Sequence, residues 1–356
     1  MRRAGRALVL AAALAALAAP AGASAVPRDF FGIGPQTPLT RADVSRMRAG
    51  GIGSVRVPVV WGSVQPSPRS DYQWGALDEA VSLTAHEGLE VLPFFYGTPH
   101  WLGRPTSLPV AGGRQRRAWS EFLRAAAERY GSSGEYWIEH AAGTKDFVPR
   151  TPITAWQIWN EPNFFYFARP ASPGRYGRLL KMSSRALRQG DRRAETIAAG
   201  LFGNPRPRPP LGMKATVFLE GLYRVRGIRA ALDGIALHPY VPDVAALRTE
   251  VEALRRVAVR NRDRRTPFYV TEMGWGSQGN SHVSFEVGRH GQARELRAAY
   301  RYLLGNRRRL NLKQVFWFSW KDLRGDCDFC DSAGLFREGR AFRPKPAWHA
   351  FVRVAR

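Results

Sequence analysis

Eight short runs rich in β-branched and aromatic residues recur along the chain, with longer segments of helical period between many of them. The runs are Phe31 to Pro35, Ser54 to Val60, Glu90 to Phe95, Ala155 to Trp159, Thr196 to Leu201, Gly234 to Leu237, Pro267 to Thr271 and Gln314 to Phe318. Such strand-then-helix alternation is the mark of a parallel α/β architecture. The helical segments are Thr40 to Arg48, Ala118 to Tyr130, Val244 to Val259, Gln292 to Leu304 and Lys345 to Phe351. Thr40 and Asp43 have capping-box spacing, and Asp243 is a natural N-cap for a stripe of Val244, Leu247, Val251, Leu254 and Val257. These stripes are ordinary core faces. No Gly-x-Gly-x-x-Gly turn follows the first strand, so a dinucleotide-binding doubly wound sheet has no support. The expectation is one (β/α)8 TIM barrel filling residues 26–356, with long loops at 131–150 and 204–212.

Residues 1–25 are set apart as an export signal. Arg2, Arg3 and Arg6 precede an apolar run from Ala7 to Ala19, and Ala23, Ser24 and Ala25 form a small-residue cleavage site. The run is shorter than the roughly 18 residues needed to span a bilayer. The chain is therefore expected to be secreted, extracellular and free of the membrane once the signal is cleaved. Its formal net charge is +25, mostly from arginine. The arginines are spread along helix-like segments without a basic arm, zinc spacing or RNA-binding aromatic motif, which argues against nucleic acid as partner. They read as a solvated surface, with attraction to anionic cell-wall polymers as the alternative. Cys327 and Cys330 are the only cysteines. In an exported chain a loop-pinning disulfide is favoured over free thiols, and two thiolates alone do not close a four-ligand zinc site.

Two glutamates carry the chemical signal. Ala155 to Trp159 runs straight into Asn160, Glu161, Pro162 and Asn163, and Pro162 ends the strand. On Asn160 and Glu161 alone, a polar loop cap competes evenly with a functional pair. Phe268 to Thr271 is a second apolar run that leads into Glu272, Met273, Gly274 and Trp275. On strands four and seven of a barrel, both carboxylates emerge at the carboxyl ends, where barrel active sites lie. Glycoside cleavage needs such a pair: one carboxyl protonates the leaving oxygen while the other attacks the anomeric carbon or activates water.

At these motifs the chain resembles the glycoside hydrolases of clan A, the retaining barrel glycosidases. Tyr96 to Trp101 and Tyr130 to Gly134 are more similar to family 39 and its relatives than to family 5, whose short histidine motif at strand three is displaced here, with His100 beyond Pro99. The resemblance implies that Glu161 is the acid/base, Glu272 the nucleophile, and Asn160 a partner of the sugar 2-hydroxyl. It implies further that Arg56 orients Glu272 and keeps it ionised, that Tyr240 hydrogen-bonds the nucleophile, and that His238 is a polar residue of the cleft. Trp275 joins the aromatic residues expected near the cleft, with Tyr96, Trp101, Phe164, Phe165 and Tyr166. A sugar platform is implied on strand eight, at Trp317 in preference to Trp320.

The function expected is hydrolysis of O-glycosidic bonds in a polysaccharide or oligosaccharide by a monomer. A transglycosylase that remodels cell walls with the same glutamates is the nearer alternative, and a non-catalytic carbohydrate-binding barrel the farther one. No cofactor or metal is expected, because no His, Cys and carboxylate cluster has ligand spacing. Sugar, linkage and mode of attack have no readable code.

Overall fold

The computed structural model describes residues 26–279, 283–325, 327, 329–339 and 341–356; the expected export signal lies outside the described residues. Eight parallel strands close a barrel in sequence order. They are β1 (Phe31–Gly34), β2 (Ser54–Val60), β3 (Glu90–Tyr96), β4 (Ala155–Ile158), β5 (Glu195–Phe202), β6 (Gly234–His238), β7 (Phe268–Met273) and β8 (Leu312–Phe318). Closure comes from β1, which pairs with β2 on one side and with β8 on the other. Every expected strand is present, with ends shifted by two residues or fewer.

Period-two alternation divides each strand between two cores. Leu92, Ile197, Ala236, Tyr269 and Phe316 point inward and fill the barrel's interior. Gly32 belongs to the same layer: a Cβ there would stand 2.3 Å from Phe316 Cδ1, so the missing side chain is the space that Phe316 occupies. Outward-facing Val55, Trp156, Ile158, Val270 and Val315 belong to the larger core between strands and helices.

The helices follow their apolar stripes. Arg41–Ala49 begins at Thr40 with the expected capping box, and Val244–Arg260 begins at Asp243, whose side chain accepts from Ala246 N–H. Pro173–Gly190, not anticipated from the sequence, carries glycines at both ends but buries Tyr176, Leu179, Leu180, Ala186 and Leu187 along one face. Each large apolar side chain so buried contributes about 1.5–3 kcal/mol. A helical glycine costs only about 1 kcal/mol against alanine, so packing prevails over propensity. Gly75–His86 and Ala215–Tyr223 were likewise unanticipated, and the expected loop at 131–150 contains the short helix Glu135–Glu139, which buries Tyr136 and Trp137. Among the described residues no helix is long and apolar enough to cross a membrane.

One buried carboxylate ties the first helix to the chain after β8. Asp43, 3% exposed, accepts from Thr40 N–H and Oγ–H, from Trp320 Nε1–H at 2.7 Å, and from Lys321 Nζ at 2.6 Å. Burial alone would raise its pKa, but these donors together hold it below the ordinary value. Asp43→Ala would strand Lys321 beside an empty cavity and remove the cap. It should lower stability by about 3 kcal/mol, read as a lower urea midpoint at unchanged slope. A loss below about 1 kcal/mol would show that water takes over the role of the carboxylate.

Candidate active site

The carboxyl end of β4 is bent by hydrogen bonds into a turn. Trp159 and Glu161 take positive φ values of 71° and 37°, left-handed conformations that cost non-glycine residues about 1–3 kcal/mol each. Neighbouring groups hold them there. Trp159 Nε1–H donates to Phe167 O at 2.8 Å, and Glu161 N–H donates to Gly200 O at 3.2 Å. Asn163, fully buried, donates to Phe202 O and Met213 O and accepts from Phe202 N–H. Glu161 is thereby turned back over the barrel mouth.

Arg56 is the hub of that mouth. It points inward from β2, 2% exposed, and its guanidinium meets three acceptors. Nη1 donates to Glu272 Oε1 at 2.5 Å, Nη2 to Asn160 Oδ1 at 2.8 Å, and Nε to Gln157 Oε1 at 2.6 Å. The face of Phe94 lies 3.7 Å away on a cation–π axis. Tyr240 O–H donates to the other oxygen of Glu272. His238 joins the two carboxylates: Nδ1 is 2.7 Å from Glu161 Oε1 and 3.6 Å from Glu272 Oε2, while Nε2 is 2.9 Å from Thr271 Oγ1. Its ring fits because residue 200 is glycine, where a Cβ would come within 1.9 Å of Nε2.

One oxygen of each glutamate and a ring nitrogen of His238 all lie within 4.8 Å of one another. The trio has donor types that could bind a cation. However, a guanidinium and a phenol already hold Glu272, and an arginine in direct contact repels a dication, so the set fits proton transfer better than metal binding. The environments of the two carboxyls differ. Burial is the largest influence on both. At Glu161 it wins, and the pKa is raised despite the hydrogen bond to His238. At Glu272 burial is outweighed by His238, Arg56 and the Tyr240 hydroxyl, and the pKa is lowered. Tyr240 itself is pushed well above its ordinary value, by burial and by Glu272, and so keeps its proton.

No family model matches the chain. A β-galactosidase of Thermus thermophilus is 40% identical over 86 residues, 22% of this chain and 13% of that enzyme, so the match spans about an eighth of the relative's length. Among solved structures, a family 39 glycoside hydrolase of Bacteroides cellulosilyticus superposes with TM-score 0.66 at 22% identity, covering 93% of this chain and 64% of its own. A monomeric β-xylosidase of Caulobacter crescentus gives 0.63 at 17%, covering 92% and 68%. An endo-β-1,4-glucanase of Xanthomonas axonopodis gives 0.61 at 13%, covering 92% and 99%. The fold is the one they share.

Of the residues expected in the site, the structure gathers Arg56, Asn160, Glu161, His238, Tyr240 and Glu272. Three others are corrected. Trp275, 0% exposed, donates from Nε1 to Pro242 O, and Trp317, also 0% exposed, donates to Ala333 O. Trp320 donates to Asp43 and packs against Phe336 and Trp348. None offers a surface to a sugar. Alternation explains Trp317: Phe316 fills the interior, so the next side chain turns outward and Phe318 turns in again. Phe318 is half-buried, with its ring 6.3 Å from that of Tyr240. Cys327 and Cys330 are joined in a disulfide, and Phe329 between them packs on Tyr240 with centroids 4.7 Å apart. Gln157 and Thr271 were missed. Each is a polar residue inside an apolar strand, and Gln157 Nε2–H donates to Thr271 Oγ1 at 3.2 Å.

Direct titration tests the asymmetry. With 13C-labelled glutamate side chains, Glu272 should titrate below the ordinary range of about 4.3 and Glu161 above it. Arg56→Met should raise the Glu272 transition by about one unit or more. Two overlapping transitions in the ordinary range, unmoved by the substitution, would contradict this assignment.

Proposed function

We propose that the chain is a retaining glycoside hydrolase that cleaves O-glycosidic bonds of an oligosaccharide or polysaccharide by double displacement. One observation carries the reading. Two glutamates at the carboxyl ends of β4 and β7 approach within 4.8 Å, in opposed environments that raise one pKa and lower the other. Retaining enzymes hold their carboxyl groups about 5–5.5 Å apart, while inverting enzymes leave room for a water between them. The glycosidases named among the similar structures lend support from the fold.

In the first step Glu272, kept ionised by Arg56 and Tyr240, attacks the anomeric carbon. The bond to the leaving oxygen breaks as Glu161 gives that oxygen its proton. In the second step Glu161, now a carboxylate, takes a proton from water, and the hydroxyl displaces Glu272 from the sugar. Opposed environments for paired carboxyls assign these roles. Because Arg56 fixes Asn160 Oδ1, the Asn160 amide nitrogen is the end that can donate to the 2-hydroxyl beside the reacting carbon. Phe318, Tyr240, Phe329 and Phe285 pack edge to face or tilted along one wall. Tyr166, 64% exposed, stacks on Phe165 across the rim. Both suit the apolar faces of sugar rings. An exported enzyme fits the leader pattern at residues 1–25 and the disulfide of Cys327 and Cys330.

The two glutamates should separate by role. Glu272→Ala should abolish turnover, and azide should restore part of it as a glycosyl azide of inverted configuration. Glu161→Ala should lose about 10²- to 10⁴-fold on substrates that need acid assistance. It should still give a burst with a dinitrophenyl glycoside, and azide should then yield the retained product. Swapped stereochemistry, or equal loss in both variants on the activated substrate, would overturn the assignment.

A further inference from the structure

Glu272 is held in part by a phenol that lies outside the strands. Tyr240 stands just beyond the end of β6, and its hydroxyl donates to Glu272. A tyrosine ring turns about two side-chain bonds, so the hydroxyl reaches that carboxylate in one orientation and leaves it in others. Packing fixes the ring. Its aromatic neighbours are Phe202, His238, Phe285, Phe318 and Phe329, with centroids between 4.7 and 6.3 Å away. Phe329 is the nearest of the five, at 4.7 Å and an interplanar angle of 66°, the edge-to-face arrangement that aromatic pairs favour.

Phe329 is itself placed by two anchors. It is 8% exposed and lies between Cys327 and Cys330, whose disulfide closes the chain on either side of it. Cys330 N–H donates to Cys327 Sγ at 3.2 Å and Asp331 N–H to Cys327 O at 3.3 Å, so the loop is tied across its own base. The second anchor is a buried polar cluster behind the loop. Ser332 N–H donates to Phe329 O at 3.1 Å, and Ser332 Oγ–H donates to Glu286. Ser332 O accepts from Lys345 Nζ at 2.8 Å and from Ser277 N–H at 3.2 Å. Lys345, 1% exposed, is paired with Asp322 at 2.7 Å. These bonds join the segment after β8 to the segment after β7, where Phe285 meets Phe329 at 4.8 Å. The Phe329 ring therefore rests on Tyr240 from a fixed base.

We propose that Phe329, clamped by the Cys327–Cys330 disulfide, is a positioning residue for Glu272 and acts through Tyr240. The contacts run from the disulfide to the Phe329 ring, from that ring to Tyr240, and through the Tyr240 hydroxyl to Glu272. Burial works against the ionised Glu272, and His238, Arg56 and the Tyr240 hydroxyl together outweigh it. The hydroxyl's part is what the clamp governs. Arg56, His238 and Glu161 also face Glu272, but they come from β2, β6 and the end of β4 rather than from this loop. Opening the clamp gives the Tyr240 ring other orientations and weakens the ionised form of Glu272 without releasing it from the guanidinium. That Glu272 is a nucleophile rests on the glycosidase reading; the coupling of the disulfide loop to its carboxyl does not.

The test uses the full chain with 13C-labelled glutamate side chains and reads the Glu272 transition directly. Phe329→Ala should raise it by about half a unit or more, and Phe329→Leu, which keeps much of the apolar packing, should undo most of that rise. Reducing the disulfide of the unaltered protein with a phosphine should raise it as well, and reoxidation with oxidised glutathione should reverse the change. Cys327→Ser with Cys330→Ser should match the reduced protein and no longer respond to the phosphine. Tyr240→Phe should raise the transition by itself, and adding Phe329→Ala to it should cause no further rise, since both changes remove the same hydrogen bond. With a glycoside substrate, the acid limb of kcat/KM should move to higher pH in Phe329→Ala, because Glu272 must be ionised to attack. A transition that stays in place in both Phe329→Ala and the reduced protein, even with a lower melting temperature, would overturn the proposal. A rise in Phe329→Ala without one on reduction would overturn the disulfide's part. An additive rise in the double variant would overturn the route through Tyr240. Full coupling in a chain that turns over no glycoside would uphold the clamp and count against the glycosidase reading alone.

Discussion

The contact between Arg56 and Glu272 sets the chemistry of the barrel mouth. Two carboxylates with oxygens within 4.8 Å of each other repel by about 3 kcal/mol or more at an effective dielectric of about 20, roughly two pK units. Both therefore resist being ionised together at neutral pH unless something favours one of them. Arg56 favours Glu272, with which it makes a direct hydrogen bond, while its influence on Glu161 is the smallest of the named causes and its hydrogen bond on that side goes to Asn160, the residue before it. Burial raises the pKa of Glu161, which His238 holds from the other side. In the proposed mechanism, the guanidinium is what keeps the two carboxyls from being equivalent.

A buried arginine is itself unstable unless its surroundings match it, since a stranded charge costs several kcal/mol. The barrel supplies the match from separate strands. β4 contributes Gln157 and, just past its end, Asn160; β7 contributes Glu272; β3 contributes the ring of Phe94. No single segment could assemble these groups, and closure of the sheet brings them together. Gly200 on β5 leaves room for His238 on β6. The strained turn at Trp159 and Glu161 is held by β5 and the chain after it, through Gly200 O and Asn163. The geometry of the pair is thus a property of the closed barrel.

Much of this was legible in the sequence, for a physical reason. Parallel strands covered by helices read as compact apolar runs, so all eight could be drawn, and a glutamate at the end of such a run stands out. Arg56 was visible because apolar neighbours flank it. Side-chain direction within the last strand was not. Trp317 has the chemistry of a sugar platform but the wrong parity, and a single step along a strand exchanges the two faces. Counting outward and inward positions from Phe316 would have placed Phe318, not Trp317, on the inward parity. Trp320 was hidden because its partner, Asp43, lies far away in the chain on the first helix. Gln157 and Thr271 carried a readable signal, a polar side chain on the inward parity of an apolar strand, which motif reading passed over.

In the proposed double displacement Glu272 forms a covalent bond to the sugar while Glu161 does not. A 2-deoxy-2-fluoro glycoside with an activated leaving group slows both steps, and the good leaving group lets the first outrun the second. Mass spectrometry of the digested protein then locates the adduct. The peptide that contains Tyr269 to Trp275 should gain one fluorosugar, with the ester at Glu272. An adduct on Glu161, or product of inverted configuration formed with no adduct at all, would contradict it.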